Sequence, residues 1–459
     1  MAAVICAILL GAPSAATSQE ADAAAESRSA PDAPATRMLE QREEERARRP
    51  FFPSEASPAT SLLRGAAPEL RSSDRLPLDA LESFPRSDQL LRAGSFAILP
   101  RVQVSGAYDD NVNASDSDRE DDFSANVSGS LRAESLFQRH SLGFGADFSV
   151  NDVDESVDQD SVDWQVGADG RLDLTPRSAL SAAATFTRGS QSPESTEAGA
   201  QEEPTVTEAD GAIAYTQRLR RLAWEIAGGI GRVEADGDSA DDLGTDDAAE
   251  QDRTTYTIEP GATYEVSRRV SLFGDLRYEN NDYDVAGDGG SRDSQLFEAN
   301  VGTGFDLGRT FSASLGAGYL GVIFEDPERD NTHSPTFSAA LDGAISLDRV
   351  TLLRMGLDHS TDLTTAEEAA LVTETAFATS ISRSLSRTSA IVAGARLSRS
   401  DFIDTDRTDY DVVARLGYSR ILVRNVALNV GYRFSQRFSD ESEADFYRNI
   451  VSLGLSASF

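Results

Sequence analysis

The 459-residue chain has no lysine, a single cysteine, three histidines and no apolar run of the roughly 18 to 20 residues that a membrane-crossing helix requires. Each scarcity excludes something. All 42 basic residues are arginine and face 77 acidic ones, so the formal charge of −35 leaves no basic surface for nucleic acid. One thiol, Cys6, cannot form an internal disulfide or a cysteine metal cluster. Hydrolysis needs a nucleophile or water activated by a base, most often histidine. Of His140, His333 and His359, only His359 follows a carboxylate, Asp358, and neighbours in an extended strand point to opposite faces. The chain is therefore expected to be no enzyme and to carry no cofactor or metal.

What is present divides in two. The short apolar run Val4 to Leu10 is followed by small residues, and Ser14-Ala15-Ala16 fits a small-x-small cleavage site. Residues 1–16 read as a signal peptide without a positively charged start. Residues 17–95 are rich in Ala, Pro, Ser, Glu and Arg with no sustained periodicity, and read as a disordered periplasmic linker. Within it, Arg37 to Arg49 mixes charge signs at helical spacing, as a solvated helix or linker would.

From Phe96 onward the period becomes two. Val102, Val104, Gly106 and Tyr108 alternate with Gln103, Ser105 and Ala107, and Val451, Leu453, Leu455, Ala457 and Phe459 alternate with serine and glycine. Eighteen such segments can be counted. Short arginine-bearing turns (Arg139, Arg177, Arg218 to Arg221, Arg268, Arg269, Arg309, Arg349, Arg387, Arg424) alternate with longer acidic connections such as Asp109 to Asp122. Strands joined alternately by short turns and long loops predict a transmembrane antiparallel up-and-down β-barrel of about 18 strands, 16 to 18, over residues 96–459. A soluble β-sandwich also alternates. Aromatics near both ends of the strands favour the barrel, with Tyr108, Phe148, Phe186, Tyr278, Tyr410 and Tyr447 at the long-loop rim and Tyr264, Phe305, Phe311, Tyr418 and Phe459 at the turn rim. Pro260, at an apolar position inside a strand, lacks a ladder donor and predicts a bulge.

Parity then assigns a lumen. Arg396, Arg415 and Arg433 point inward near mid-strand late in the chain, and Glu225, Glu259 and Asp275 point inward about half a barrel away. Opposed walls of opposite charge would set a transverse field across a pore. Local cross-strand pairing of the same charges is the equal alternative.

The stretch from Gly94 to Val112, with Ile98-Leu99-Pro100 opening a strand and Tyr108-Asp109-Asp110-Asn111 closing it, resembles the start of the putative beta-barrel porin-2 family. The resemblance implies a Gram-negative outer-membrane protein linked to export or surface handling of exopolysaccharide and capsule, and carries over no catalytic residues. The Tyr-Asp-Asp-Asn cluster offers hard oxygen ligands to a divalent cation but more simply suits a turn. Phe459 resembles the terminal aromatic that the outer-membrane assembly machinery reads. The expected function is porin-like passage of hydrophilic solutes, saccharides or exported polysaccharide. The alternative is a non-conducting structural or surface-interaction barrel. Expected partners are membrane lipid, lipopolysaccharide facing the acidic loops, the assembly machinery and polysaccharide.

Overall fold

Each of the eighteen alternating segments is a hydrogen-bonded strand. The computed structural model describes residues 91–459 except 118, 154–160, 192–193, 195–204, 237–250, 286–289, 309, 347–350, 365–368, 370, 404, 406 and 442–443. The signal, linker residues 17–90, Arg309, Arg349 and the acidic segments 154–160 and 237–250 lie outside the described residues.

In chain order the strands are β1 (Leu91–Ala93), β2 (Phe96–Asp109), β3 (Asp122–Ser135), β4 (Ser141–Val153), β5 (Ser161–Thr175), β6 (Ser178–Ser190), β7 (Thr205–Arg218), β8 (Leu222–Asp236), β9 (Arg253–Glu265) and β10 (Val270–Tyr283). They continue as β11 (Ser294–Asp306), β12 (Phe311–Phe324), β13 (Thr332–Ser346), β14 (Thr351–Leu363), β15 (Leu371–Ser386), β16 (Ser389–Ile403), β17 (Thr408–Val423), β18 (Val426–Ser439) and β19 (Phe446–Ser458). From β2 to β19 each strand pairs antiparallel with its chain neighbours, and β19 pairs back onto β2. The result is a closed eighteen-stranded barrel. Closure is what lets strands sit in hydrocarbon, where an unpaired sheet edge has no water to satisfy it.

Three of the short turns are closed in part by side-chain hydroxyls. In the β5–β6 turn the Arg177 N–H donates to Thr175 Oγ1 at 3.2 Å, in β9–β10 the Arg269 N–H donates to Ser267 Oγ at 3.2 Å, and in β15–β16 the Thr388 N–H donates to Ser386 Oγ at 3.1 Å. A hydroxyl that accepts the N–H two residues on closes a tight turn without glycine.

The two faces are inverted relative to a soluble sandwich. Outward positions are apolar and open, with Val301 69% and Phe123 66% exposed. Aromatic pairs mark both ends: Tyr108 with Phe123 at 5.0 Å, Trp164 with Phe186 at 5.1 Å and Tyr278 with Phe297 at 4.9 Å toward the long connections, and Tyr215 with Trp224 at 5.5 Å toward the turns. Such girdles belong where lipid meets headgroups.

The expected bulge at Pro260 does not form. Asp275 pairs with Gly261 and Tyr278 with Ile258, so the β9–β10 register is the same on both sides of the proline, and Ile226 still pairs with Pro260 from β8. A one-residue shift would carry Glu259 to the lipid face, which costs far more than one missing donor. Irregularities fall instead beside the turns, at Asp173/Thr175, Ala344/Ser346, Ser384/Ser386 and Ile421/Val423.

β1 has no counterpart in the sequence reading. It folds back through Gly94, whose φ of +60° suits a residue without a side chain, and pairs with Phe96 to Ile98 of β2. Those positions lie beyond the last β19 partner of β2, Arg101, so β1 covers the end of β2 that β19 leaves unpaired.

Candidate functional site

The inner surface is built strand by strand from alternate residues. One register row runs Glu225 (β8), Gly261 (β9), Asp275 (β10), Asn300 (β11), Gly318 (β12) and Thr336 (β13). Asn300 Nδ2 donates to Asp275 Oδ2 at 3.0 Å and to Glu298 Oε1 at 2.9 Å, while Thr336 Oγ1 donates to Asn300 Oδ1 at 2.9 Å. The Thr336–Asn300 bond spans Gly318, where a Cβ would sit 2.0 Å from Asn300 Oδ1 and 2.5 Å from Thr336 Oγ1. Glycine at 318 is what allows two strands on either side of it to share this bond. Glu259 lies one row toward the long-loop rim, opposite Ala227. This wall therefore gathers Glu225, Glu259, Asp275 and Glu298.

The arginines stand about half a circumference away, on β16, β17 and β18. Arg415 and Arg433 are direct cross-strand partners, and Arg396 lies one strand further on. The structure does not leave these charges alone. Arg396 pairs with Glu374 of β15 while keeping 43% of its side chain exposed, and Arg433 is buried against Glu194. Arg354, inward on β14 and 75% exposed, lies 3.7 Å from Asp342. Local pairing occurs on both sides: Arg277 of β10, opposite Glu298, pairs with Glu279 within the acidic wall.

Above mid-height toward the long connections the lumen changes character. Inward Val206, Leu320, Val322, Phe402 and Asp409 are buried. There the arginine wall becomes a connected polar ladder. Arg407 holds Asp409 with Nε–Oδ1 at 3.0 Å and Nη2–Oδ2 at 2.8 Å, and Arg437 donates to Asp411 Oδ1 at 2.9 Å. Arg448 Nε donates to Asp109 Oδ2 at 2.7 Å. Glu194, from the connection between β6 and β7, reaches this wall from five to six strands away. Its Oε2 accepts from Arg433 Nη2 at 2.5 Å, and its Oε1 from Ser435 Oγ at 2.8 Å and Arg448 Nη1 at 3.2 Å. Parity with Arg433 could have identified Ser435 and Arg437 as inward. No sequence signal places Glu194, because a loop residue's partner across a lumen has no periodicity.

The Tyr-Asp-Asp-Asn segment lies at the seam. Asp109 accepts from Arg448, Asp110 Oδ1 accepts the Asn449 N–H at 2.6 Å and Oδ2 accepts from Asn449 Nδ2 at 2.8 Å. Asn111 is fully buried; its Nδ2 donates to Tyr447 O and Ser115 O, each at 2.8 Å, and its Oδ1 accepts the Ser115 N–H at 3.2 Å. Three consecutive residues of β2 and its exit thus grip three consecutive residues of β19. Arg119 adds a cover, 3.3 Å from Asp110 and 3.5 Å above the Tyr447 ring. The cluster is a turn, as the simpler expectation had it, and its oxygens serve the seam. Among the described residues, no three His, Asp or Glu side chains are placed to hold a metal.

At the same rim Arg232 grips Asp284 through Nη1–Oδ1 at 2.9 Å and Nη2–Oδ2 at 2.5 Å, which holds the Asp284 carboxyl below the ordinary carboxylate range. The histidines have structural partners. His359 stacks on Phe337 at 4.8 Å on the outer face, His333 stacks on Tyr319 at 6.0 Å, and His140 Nδ1 accepts the Asp173 N–H at 3.1 Å. Phe459 is 50% exposed, and its N–H donates to Pro100 O at 3.2 Å, extending the seam by one bond.

No curated protein matches the sequence. Among solved structures, the chain is similar to the Pseudomonas aeruginosa outer-membrane protein OpdK, with 14% identity, a TM-score of 0.45, and 81% of this chain and all of that one covered. It is similar to OccK2 (OpdF) of the same organism at 12% identity and a TM-score of 0.45, covering 79% and 97% of the two chains. The siderophore receptor PirA, also from Pseudomonas aeruginosa, aligns at 8% identity and a TM-score of 0.40 over 80% and 81%. The family model described as putative beta-barrel porin 2 matches residues 90–459, from the β1 hairpin through the whole barrel. The chain is a porin-like β-barrel of the Gram-negative outer membrane and belongs to the putative beta-barrel porin 2 family.

Proposed function

We propose that the barrel passes hydrophilic solutes of the saccharide class, including exported polysaccharide, through its charged mid-lumen. The observation that carries this reading is the pair of opposed walls, Glu225, Glu259 and Asp275 on one side and Arg396 and Arg415 on the other, with Arg396 and Arg354 still substantially exposed. Sugars are dipolar, densely hydroxylated solutes, and a pore lined with both donors and acceptors can replace their hydration as they move. The proposal assigns no catalytic chemistry, a reading supported by histidines that face outward or cap a turn. Lipopolysaccharide bridged by divalent cations is the partner proposed for the acidic connections.

A second reading rests on the buried upper lumen. If Val206, Leu320, Val322 and Phe402 close that end in the membrane, the barrel is a scaffold or surface-interaction module. Planar-bilayer recording with liposome swelling in neutral saccharides separates the two. Stepwise conductance and saccharide-dependent swelling are expected; silence both with and without residues 17–95 would leave the scaffold reading.

Phe459 is proposed to be read by the assembly machinery. Its half-exposed ring and single backbone bond contribute only about 1–2 kcal/mol to the folded barrel. Phe459→Ala should nonetheless cut the amount of heat-modifiable barrel in the outer membrane several-fold. Normal assembly of that variant would refute the recognition role.

A further inference from the structure

The buried contacts of Glu194 describe more than a strut. Along the upper wall, β17 to β19, β2 and the residue before β17 supply four buried guanidiniums (Arg407, Arg433, Arg437, Arg448) and three carboxylates (Asp109, Asp409, Asp411). Glu441, 3.5 Å from Arg407, is a partly exposed fourth acid at the rim. Asp109 is the acid held by Arg448, Asp411 and Asp409 are those near Arg437, and Asp409 is also gripped by Arg407. Arg433 pairs with Glu194, a buried carboxylate from the connection between β6 and β7 that Arg448 shares. That carboxylate is read by both oxygens: Oε2 by Arg433, Oε1 by Ser435 and Arg448. Arg437 Nη2 donates to the Glu194 carbonyl at 3.1 Å. Charge-assisted donors converging on two oxygens form a carboxylate receptor.

We infer that Arg433, Ser435 and Arg448 form a binding site for the carboxylate of a passing solute, a uronic acid or a uronate-containing saccharide, and that Glu194 is its resident occupant. The inference rests on the reading of the lumen as a solute path and narrows its substrate class to acidic sugars. All three residues lie on strands, and Asp109 holds Arg448 in place. Glu194 competes from a tether, at an effective concentration in the millimolar range or above. A solute must therefore arrive at high local concentration to displace it, and the acidic sugar is admitted in exchange for the loop's carboxylate.

Detergent-solubilised full-length protein, checked for heat-modifiability, should be titrated calorimetrically with D-galacturonate and with neutral D-galactose. Glu194→Ala should bind galacturonate at least about tenfold more tightly than the native chain, because the tethered competitor is gone. Galactose should bind neither, and Arg433→Gln added to Glu194→Ala should abolish the gain. Galacturonate affinity that is equal with and without Glu194, or matched by galactose, would overturn the assignment. Glu194→Gln, which keeps the side-chain shape, provides a second variant. The native protein gives a measurement that needs no substitution: galacturonate, and not galactose, should raise hydrogen exchange in the peptide containing Glu194, and no difference between the sugars would count against the site. Bilayer recording on the same preparations keeps the two readings apart. Binding without conductance would retain the site and refute the conduit, whereas conductance without enhanced binding would do the reverse.

Discussion

Asn111→Ala should destabilise the barrel by about 3–5 kcal/mol, seen as a lower heat-modifiability midpoint and a lower urea midpoint in micelles. The side chain is fully buried and makes three hydrogen bonds, two donated to Tyr447 O and Ser115 O and one accepted from the Ser115 N–H. Truncation takes the side-chain partner from three partly buried backbone groups, and an unsatisfied buried group costs about 1–3 kcal/mol. The position magnifies the effect. β19 and β2 pair at nine residues, from Ile450 with Asp109 to Ser458 with Arg101, whereas β2 and β3 pair at fourteen. The grip of Asp109, Asp110 and Asn111 on Tyr447, Arg448 and Asn449 extends this joint at the rim, where fraying would begin. A double-mutant cycle between Asp110→Ala and Asn449→Ala should show coupling, since each removes the Asn449 Nδ2–Asp110 Oδ2 contact. A midpoint for Asn111→Ala within error of the native value would refute the clasp.

Arg415→Glu should change the ratio of cation to anion permeability several-fold in favour of cations, measured from reversal potentials in a KCl gradient. The substitution moves the arginine wall by two charge units at mid-strand, beside Arg433 and half a circumference from Glu225. Glu225→Gln on the opposite wall should shift the ratio the other way. Both shifts should shrink between about 0.1 M and 1 M salt, as the screening length falls from about 10 Å to about 3 Å. Unchanged selectivity in both variants would mean that the pore, if it conducts, is not governed by these walls.

Much of this architecture is legible without coordinates, because a strand writes its two faces into the sequence at period two. Ile226, Ile258 and Leu453 face out because the residues beside them face in, and the eighteen segments follow from that rule and the turn spacing. The lumen-facing identities of Glu225, Glu259, Asp275, Arg396, Arg415 and Arg433 follow in the same way. Where no periodicity applies, other constraints decide. At Pro260 a local rule predicted a bulge, yet the register of the neighbouring strands held, since slipping would expose Glu259 to lipid. β1 is too short to show alternation and exists because the lower end of β2 would otherwise be an open edge.

The residue sequence by itself pointed to a barrel of about 18 strands and to the face each strand residue takes, because these depend on parity and neighbour order along one chain. Only the tertiary structure decided which charges meet. The meeting of Glu194 with Arg433 and Arg448, and of Asp110 with Asn449, joins residues hundreds of positions apart in sequence. Those contacts exist because the sheet closes into a ring, which brings its first and last strands side by side and leaves a loop a lumen to cross.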